Sequence, residues 1–186
     1  MRDASRRPPV GPESRVGRTQ LTAALTGLGL IHPLPVLVLV GGAANLEPHV
    51  EGPLRLAFDA LVPVIDRIGA ALVDGGTAFG VMRLIGDSRR RLGGRFPLIG
   101  VAAVGTVDGG SLPAGVPVQE VDPAVRPEHW VDGARLDPDH SHFLLVPGER
   151  WGDESPWIDA AAAALAGGRP ILTLVAAGGR ITAPDV

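Results

Sequence analysis

Lysine, cysteine and tyrosine are absent from the 186 residues, and all seventeen basic side chains are arginine. Without lysine there is no Schiff base, no pyridoxal-phosphate attachment and no P-loop lysine; without cysteine there is no thiol nucleophile, disulfide, iron–sulfur cluster or thiolate zinc site. A cysteine-free chain suits a reducing compartment, and a cytoplasmic location is expected. Long apolar runs are missing too. Runs such as PVLVLV at Pro35 to Val40 fall far short of the roughly 20 residues a membrane helix needs. The first eighteen residues, MRDASRRPPVGPESRVGR, hold five arginines and two acids around no apolar centre, so they do not form a secretory signal. They are expected to form a flexible basic tail.

The rest of the chain has the material for one domain over residues 19–186, since hydrophobic residues make up 45% of the sequence and the net charge is only −3. TQLTAALTGLGL predicts a short helix from Gln20 to Leu28. VLVLV (Val36 to Val40) is a continuous run of branched residues ending in Gly-Gly, the form of a strand buried on both faces. Leu61, Ile65, Ile68 and Leu72 recur at helical spacing, and Pro63 should start or kink that helix, so the regular part is predicted at Leu61 to Leu72. A strand around Ala71 to Val73, a helix over VMRLIGDSRRRL and a strand in FPLIGVAAVG ending at Gly105 follow. Residues 106–135, rich in Gly, Pro and Asp, are predicted as a long surface excursion. SHFLLVPG is a fourth strand, ESPWIDAAAAALAGG a helix with a Ser/Pro start and a Gly stop, and RPILTLVAAGG a fifth strand. Alternating strands and helices predict a doubly wound, Rossmann-like α/β fold with a mainly parallel sheet and helices on both faces.

Four of the five predicted strands end in glycine, at Gly41 and Gly42, Gly75 and Gly76, Gly105, and Gly178 and Gly179; Pro147 and Gly148 close the remaining one. In a parallel sheet these ends share one edge, where ligands of such sheets bind, and glycine lets backbone N–H groups approach an anion. DGGTAFG is the leading candidate loop, because the helix after it directs its free N–H groups and positive dipole end at the same edge. Its G-G-x-x-x-G spacing is neither a dinucleotide fingerprint nor a P-loop, so phosphate would be held by backbone alone. Replacing Gly76 by a bulky β-branched residue is expected to abolish binding and leave the fold largely intact. Arg83, one turn into the helix, can reach a phosphate; Arg89, Arg90 and Arg91, near its other end, form a solvated face that suits the dipole.

In DPDHSH (Asp137 to His142) no third spaced ligand group accompanies the two histidines, so no metal is expected. His140 is a polar ligand contact or a cap, and His142 a satisfied buried residue. In PGERWGDES, Trp151 can stack on a base and the carboxylates can meet ribose hydroxyls, or Asp153, Glu154 and Ser155 simply cap the next helix. No nucleophile-elbow motif supports a hydrolytic triad.

In this order VLVLVGGA, DGGTAFGVM, LIGVAAVG, LDPDHSHFLLVPG and PILTLVAAGG resemble the SLOG superfamily. More narrowly they resemble its prokaryotic LSDAT branch, related to the N-terminal domain of melastatin-type TRP channels. The resemblance implies a domain whose strand-end loops bind a nucleotide-derived molecule such as ADP-ribose or an NAD derivative, as a signalling or defence-system sensor, with a membrane effector as partner. It implies no resident cofactor. The site it implies comprises Gly41, Gly42 and Asn45; Gly75, Gly76, Thr77 and Gly80; His140; Gly148, Trp151, Gly152 and Glu154; and Gly178 and Gly179, and to these the reading of the strand ends and the helix start adds Gly105, Val81 and Arg83. An alternative is a LOG-like nucleotide phosphoribohydrolase with Glu154 as acid or base, although Glu149 stands where that branch has its second glycine. A third is a ligand-free interaction module. Nucleic acid is not an expected partner, because outside the +3 tail the chain carries −6. Homo-oligomers, in which a partner subunit adds a covering helix or strand, fit a chain that stops soon after its last predicted strand.

Overall fold

The computed structural model of the chain describes residues 10–30, 33–42, 46, 48–109, 112–125 and 133–176. Among the described residues six parallel strands form one sheet: β1 (Val36–Gly41), β2 (Ala71–Asp74), β3 (Leu98–Ala103), β4 (Val118–Glu120), β5 (His142–Val146) and β6 (Ile171–Ala176), in the spatial order β4-β5-β3-β2-β1-β6. Four α-helices among the same residues cover it: α1 (Arg15–Gly27), α2 (Pro48–Ile68), α3 (Gly80–Leu92) and α4 (Ser155–Ala166). The fold is the doubly wound, Rossmann-like α/β arrangement.

Alternation along the strands sorts the core into two layers. Val36, Val38, Val40, Val73 and Val101 face α1 and α4, where they meet Leu21, Leu25, Trp157 and Leu165. Leu37, Leu39, Leu72 and Leu98 face the other way, onto Phe58, Val62 and Ile65 of α2 and Val81, Leu84 and Ile85 of α3. Beyond α3 on that second face, Phe143 and Leu145 pack with Val107 and Leu136. Burial on both faces explains why these strands read as unbroken apolar runs.

Several predicted boundaries are corrected. The first helix begins at Arg15 rather than Gln20, because Ser14 caps it by accepting from the Gly17 N–H at 2.9 Å. Arg15 to Arg18 therefore belong to the folded domain and not to a tail; residues 1–9 lie outside the described residues. The helix predicted at Leu61 to Leu72 runs instead from Pro48 to Ile68, with Pro53 and Pro63 inside it, and Leu72 belongs to β2. Both prolines lie on the exposed side, away from the buried stripe of Phe58, Val62 and Ile65. The third strand stops at Ala103, and Gly105 lies in a short 3-10 turn. The predicted excursion over 106–135 contains β4, whose three residues are too few to show a period. At the other end of the sheet β6 is an edge strand with Leu172 67% exposed, so neither of its faces is well covered by described residues.

Candidate functional site

Because all six strands are parallel, their C-terminal ends lie along one edge, and the central strand stops early on it. Asp74, the last residue of β2, pairs with Gly100, whereas β3 continues to Ala103; on the other side β1 runs on past the level of Asp74 to Gly41. This leaves a step one strand wide between β1 and β3, about 10 Å across at ordinary strand spacing. Half-buried Gly41, Gly42 and Gly75 border it.

From that step the chain turns onto the α3 face of the sheet. Gly76, at φ +68°, lies directly over Gly100 of β3, where a Cβ on Gly76 would come within 2.6 Å of the Gly100 Cα and 3.0 Å of the Phe143 ring. Only glycine meets both demands. The segment before β5 holds the loop: the Asp137 N–H donates to the Gly76 carbonyl at 2.9 Å, and the Ala78 N–H donates to the Arg135 carbonyl at 2.8 Å. Phe79 then precedes α3 in extended conformation and makes no side-chain cap; the first turn of the helix holds no acid. The N–H groups of that turn have no intrahelical partner by helix geometry. Val81 in this turn packs on β1, where a Cβ on Gly41 would lie 2.6 Å from its side chain.

The predicted site residues separate into three groups. Gly41, Gly75, Gly80 and Val81 meet where β1 and β2 end and α3 begins, together with buried Gly76 and Thr77. Gly105 and Gly148 form a second contact where β3 and β5 end, the Gly105 N–H donating to the Gly148 carbonyl at 2.9 Å. In the turn after Gly148, Asp153 accepts from the N–H groups of Glu149 and Arg150 at 2.9 and 3.0 Å, and Glu154 accepts from Gly152 at 3.0 Å. Those carboxylates organise their own loop, and Trp151, 47% exposed, stands at its tip. Asn45, Gly178 and Gly179 lie outside the described residues.

Arg83 is engaged within the protein. It donates to Glu51 of α2 at 3.3 Å, and Glu51 also accepts from Arg55. Arg89 to Arg91 are likewise not merely solvated. Arg91 pairs with Asp59, Arg90 pairs with Asp87 and Asp139, and Arg89 donates to the Phe96 carbonyl at 2.9 Å with its guanidinium over the Phe96 ring. Of these pairs Arg91 to Asp59, with Arg83 to Glu51 and Arg55 to Asp87, ties α2 to α3.

His140 is buried, with Nδ1 2.8 Å from Asp137 Oδ2 and Nε2 2.8 Å from Asp74 Oδ1. Both ring nitrogens are thus engaged inside the protein, which removes His140 from the expected ligand contacts. Burial works against the imidazolium, but the two carboxylates outweigh it and push the pKa up to about 9. Asp137 is raised above the usual carboxylate range by its own burial. Sequence reasoning missed Asp74 and Asp137 as members of this cluster. Their sole signal was an acid closing an otherwise apolar strand and another three residues before a histidine. His142, half-buried and bonded through Nδ1 to the Ser141 hydroxyl, is depressed by burial and by nearby Arg89.

A family model described as SLOG in TRPM, prokaryote, matches residues 34–186. The chain is also similar to a transient receptor potential cation channel subfamily M member-like 2 protein of Nematostella vectensis, at 32% identity over 68% of this chain and 9% of that protein. The match thus spans under a tenth of the channel relative. Sheet order, glycine-bordered edge and family match agree, and the chain belongs to the prokaryotic branch of the SLOG domains found in TRPM channels.

Proposed function

We propose that this domain binds a nucleotide-derived anion of the ADP-ribose or NAD type at the C-terminal edge of its sheet. The observation that carries the proposal is the early stop of β2. It brings Gly41, Gly75 and the acid-free first turn of α3 to one place, where backbone N–H groups and the helix dipole favour negative charge. The edge is bounded by the loop bearing Trp151, whose exposed indole suits stacking on a base. Arg83 contributes once a phosphate competes with Glu51 for it. A sensing role fits this chemistry better than turnover, because Glu154 already accepts a hydrogen bond from Gly152. A partner protein that receives the signal belongs to the same proposal, given a channel relative that extends far beyond the matched segment.

Calorimetric titration with ADP-ribose, NAD and AMP, with free base assayed in parallel, tests it. Heat of binding without base release supports a sensor, and base release identifies a hydrolase. No binding of any of the three overturns the proposal.

A further inference from the structure

Asp74, His140 and Asp137 form a charged cluster inside the protein, at the end of β2 and beneath α3. Their side chains are at most 4% exposed. Ionised carboxylates accept hydrogen bonds, and an imidazole that donates to two of them, one from each nitrogen, is the positively charged form. Asp74 Oδ1 is the point of connection. It accepts from His140 Nε2 at 2.8 Å and from the Gly76 N–H at 2.7 Å, while the buried Oδ2 of the same side chain has no hydrogen-bond partner among the described residues. Among the described residues the side-chain hydrogen bonds of Asp74 therefore pass through one oxygen, shared between the histidine and the candidate ligand loop.

Asp137 closes the cluster from the opposite side. Its backbone N–H holds the Gly76 carbonyl, and its carboxylate bonds to His140 and lies so close to α3 that a Cβ on Gly86 would stand 2.1 Å from Oδ2. Below, the His140 ring stacks on Phe143 at 5.4 Å, the same ring that Gly76 approaches. The imidazole thus joins the end of β2, the loop, α3 and the segment before β5.

We propose that His140, clamped between Asp74 and Asp137, is a positioning residue that sets the conformation of the Gly75 to Phe79 loop and the start of α3 before any ligand arrives. The functional half of this inference rests on the ligand-binding proposal; the structural half does not. Deprotonation removes one of the two donations, releases Asp74 Oδ1 or Asp137 Oδ2, and changes the hydrogen bond of the Gly76 N–H. The charged groups around the clamp are Asp74 from β2, Asp137 and Asp139 from the segment before β5, and Arg89 and Arg90 of α3. The two arginines hold Asp139 through its carbonyl and its carboxylate respectively. The raised pKa of His140 places the transition on the alkaline side of neutrality.

Nuclear magnetic resonance of the unliganded full chain tests the clamp. Both ring nitrogens of His140 should be protonated at pH 7, and the Gly76 amide signal should shift with the His140 titration above that pH. Asp137→Asn keeps the shape and removes one charge, and should lower the midpoint of that shift by about one pH unit or more, while His140→Gln should abolish it. A Gly76 amide that does not follow His140, or an unchanged midpoint in a folded Asp137→Asn protein, overturns the proposal. If His140→Gln does not fold, the Asp137→Asn comparison alone decides. For the functional half, ADP-ribose affinity at pH 7 should fall at least tenfold in folded His140→Gln, with β1 and β3 amide signals unchanged; unchanged affinity overturns that half. A wild-type chain that binds no ADP-ribose overturns the ligand-binding proposal, and the amide titration still decides the clamp.

Discussion

Gly76 and Gly100 face each other across the α3 side of the sheet with their backbones in contact: a Cβ on either would come within 2.6 Å of the other's Cα. The contact lets the loop after β2 lie flat on β3, and it changes what a substitution there reports. Gly76→Val, expected from sequence to abolish binding and spare the fold, forces a β-branched residue into positive φ and onto Gly100. The conformational cost is about 1–2 kcal/mol, and overpacking adds about 1–3 kcal/mol. Urea denaturation should show this loss without any ligand, and an unchanged midpoint would show that the loop is not packed as described.

Phe79 offers a cleaner probe of the edge, because it occupies the N-cap of α3 with φ −133° and ψ 157° and supplies no capping atom. Phe79→Asp should cap the helix and stabilise the chain by about 0.5–1 kcal/mol. The same carboxylate would repel an incoming anion, so ADP-ribose affinity should drop at least tenfold. Paired melting curves and titrations check that the two effects have opposite signs.

Trp151 and Trp157 differ sharply in exposure, 47% against 2%. A ligand base stacked on Trp151 should quench its fluorescence, leaving the Trp157 signal unchanged. Trp151→Ala should weaken nucleotide binding by about 1–3 kcal/mol, the usual worth of stacking a base on an aromatic ring. Equal affinity in the variant would remove Trp151 from the site.

The two flanking histidines set opposite limits on stability. The folded pKa of His140, about 9, lies above its ordinary 6.5, so its contribution is complete below about 6.5 and is lost as pH rises through 9. His142 is depressed below 6.5, so the unfolded chain takes up its proton first and stability falls as pH drops below 6.5. Unfolding free energies across pH 5–10 should therefore decline at both ends. His140→Gln should remove the alkaline decline and His142→Gln should reduce the acid one.

Gly86→Ala directs a methyl group into Asp137 Oδ2 from the middle of α3. Alanine is the better helix former, by about 1 kcal/mol, yet here it should destabilise, because the displaced carboxylate leaves His140 short of an acceptor. Urea unfolding of this variant against wild type reads the sign directly, and a gain in stability would contradict the packing of Asp137 on α3.

How much of this was legible in the residue order depended on range. VLVLV announced a strand buried on both faces because its branched side chains pack in each direction, and Pro156 in the first turn and the left-handed Gly167 at the exit marked α4 because both act on the local backbone. Pro63 misled, since what a proline costs a helix depends on its surroundings, and here it lies on the exposed side of a long helix held by its buried stripe. Arg83 and the later arginines read as available or solvated because Glu51 and Asp59 lie 32 residues away from their partners.

Residue order alone determined the alternation of strands and helices, the glycines at strand exits and the exclusion of lysine and thiol chemistry. Each depends on neighbours within a few positions or on composition. Only the tertiary structure decided that β2 stops short of β1 and β3, that Gly76 rests on Gly100, and that His140 turns inward to Asp74 from 66 residues away. Pairing register and buried charge are set by which segments the fold brings together, and sequence spacing carries no record of that distance.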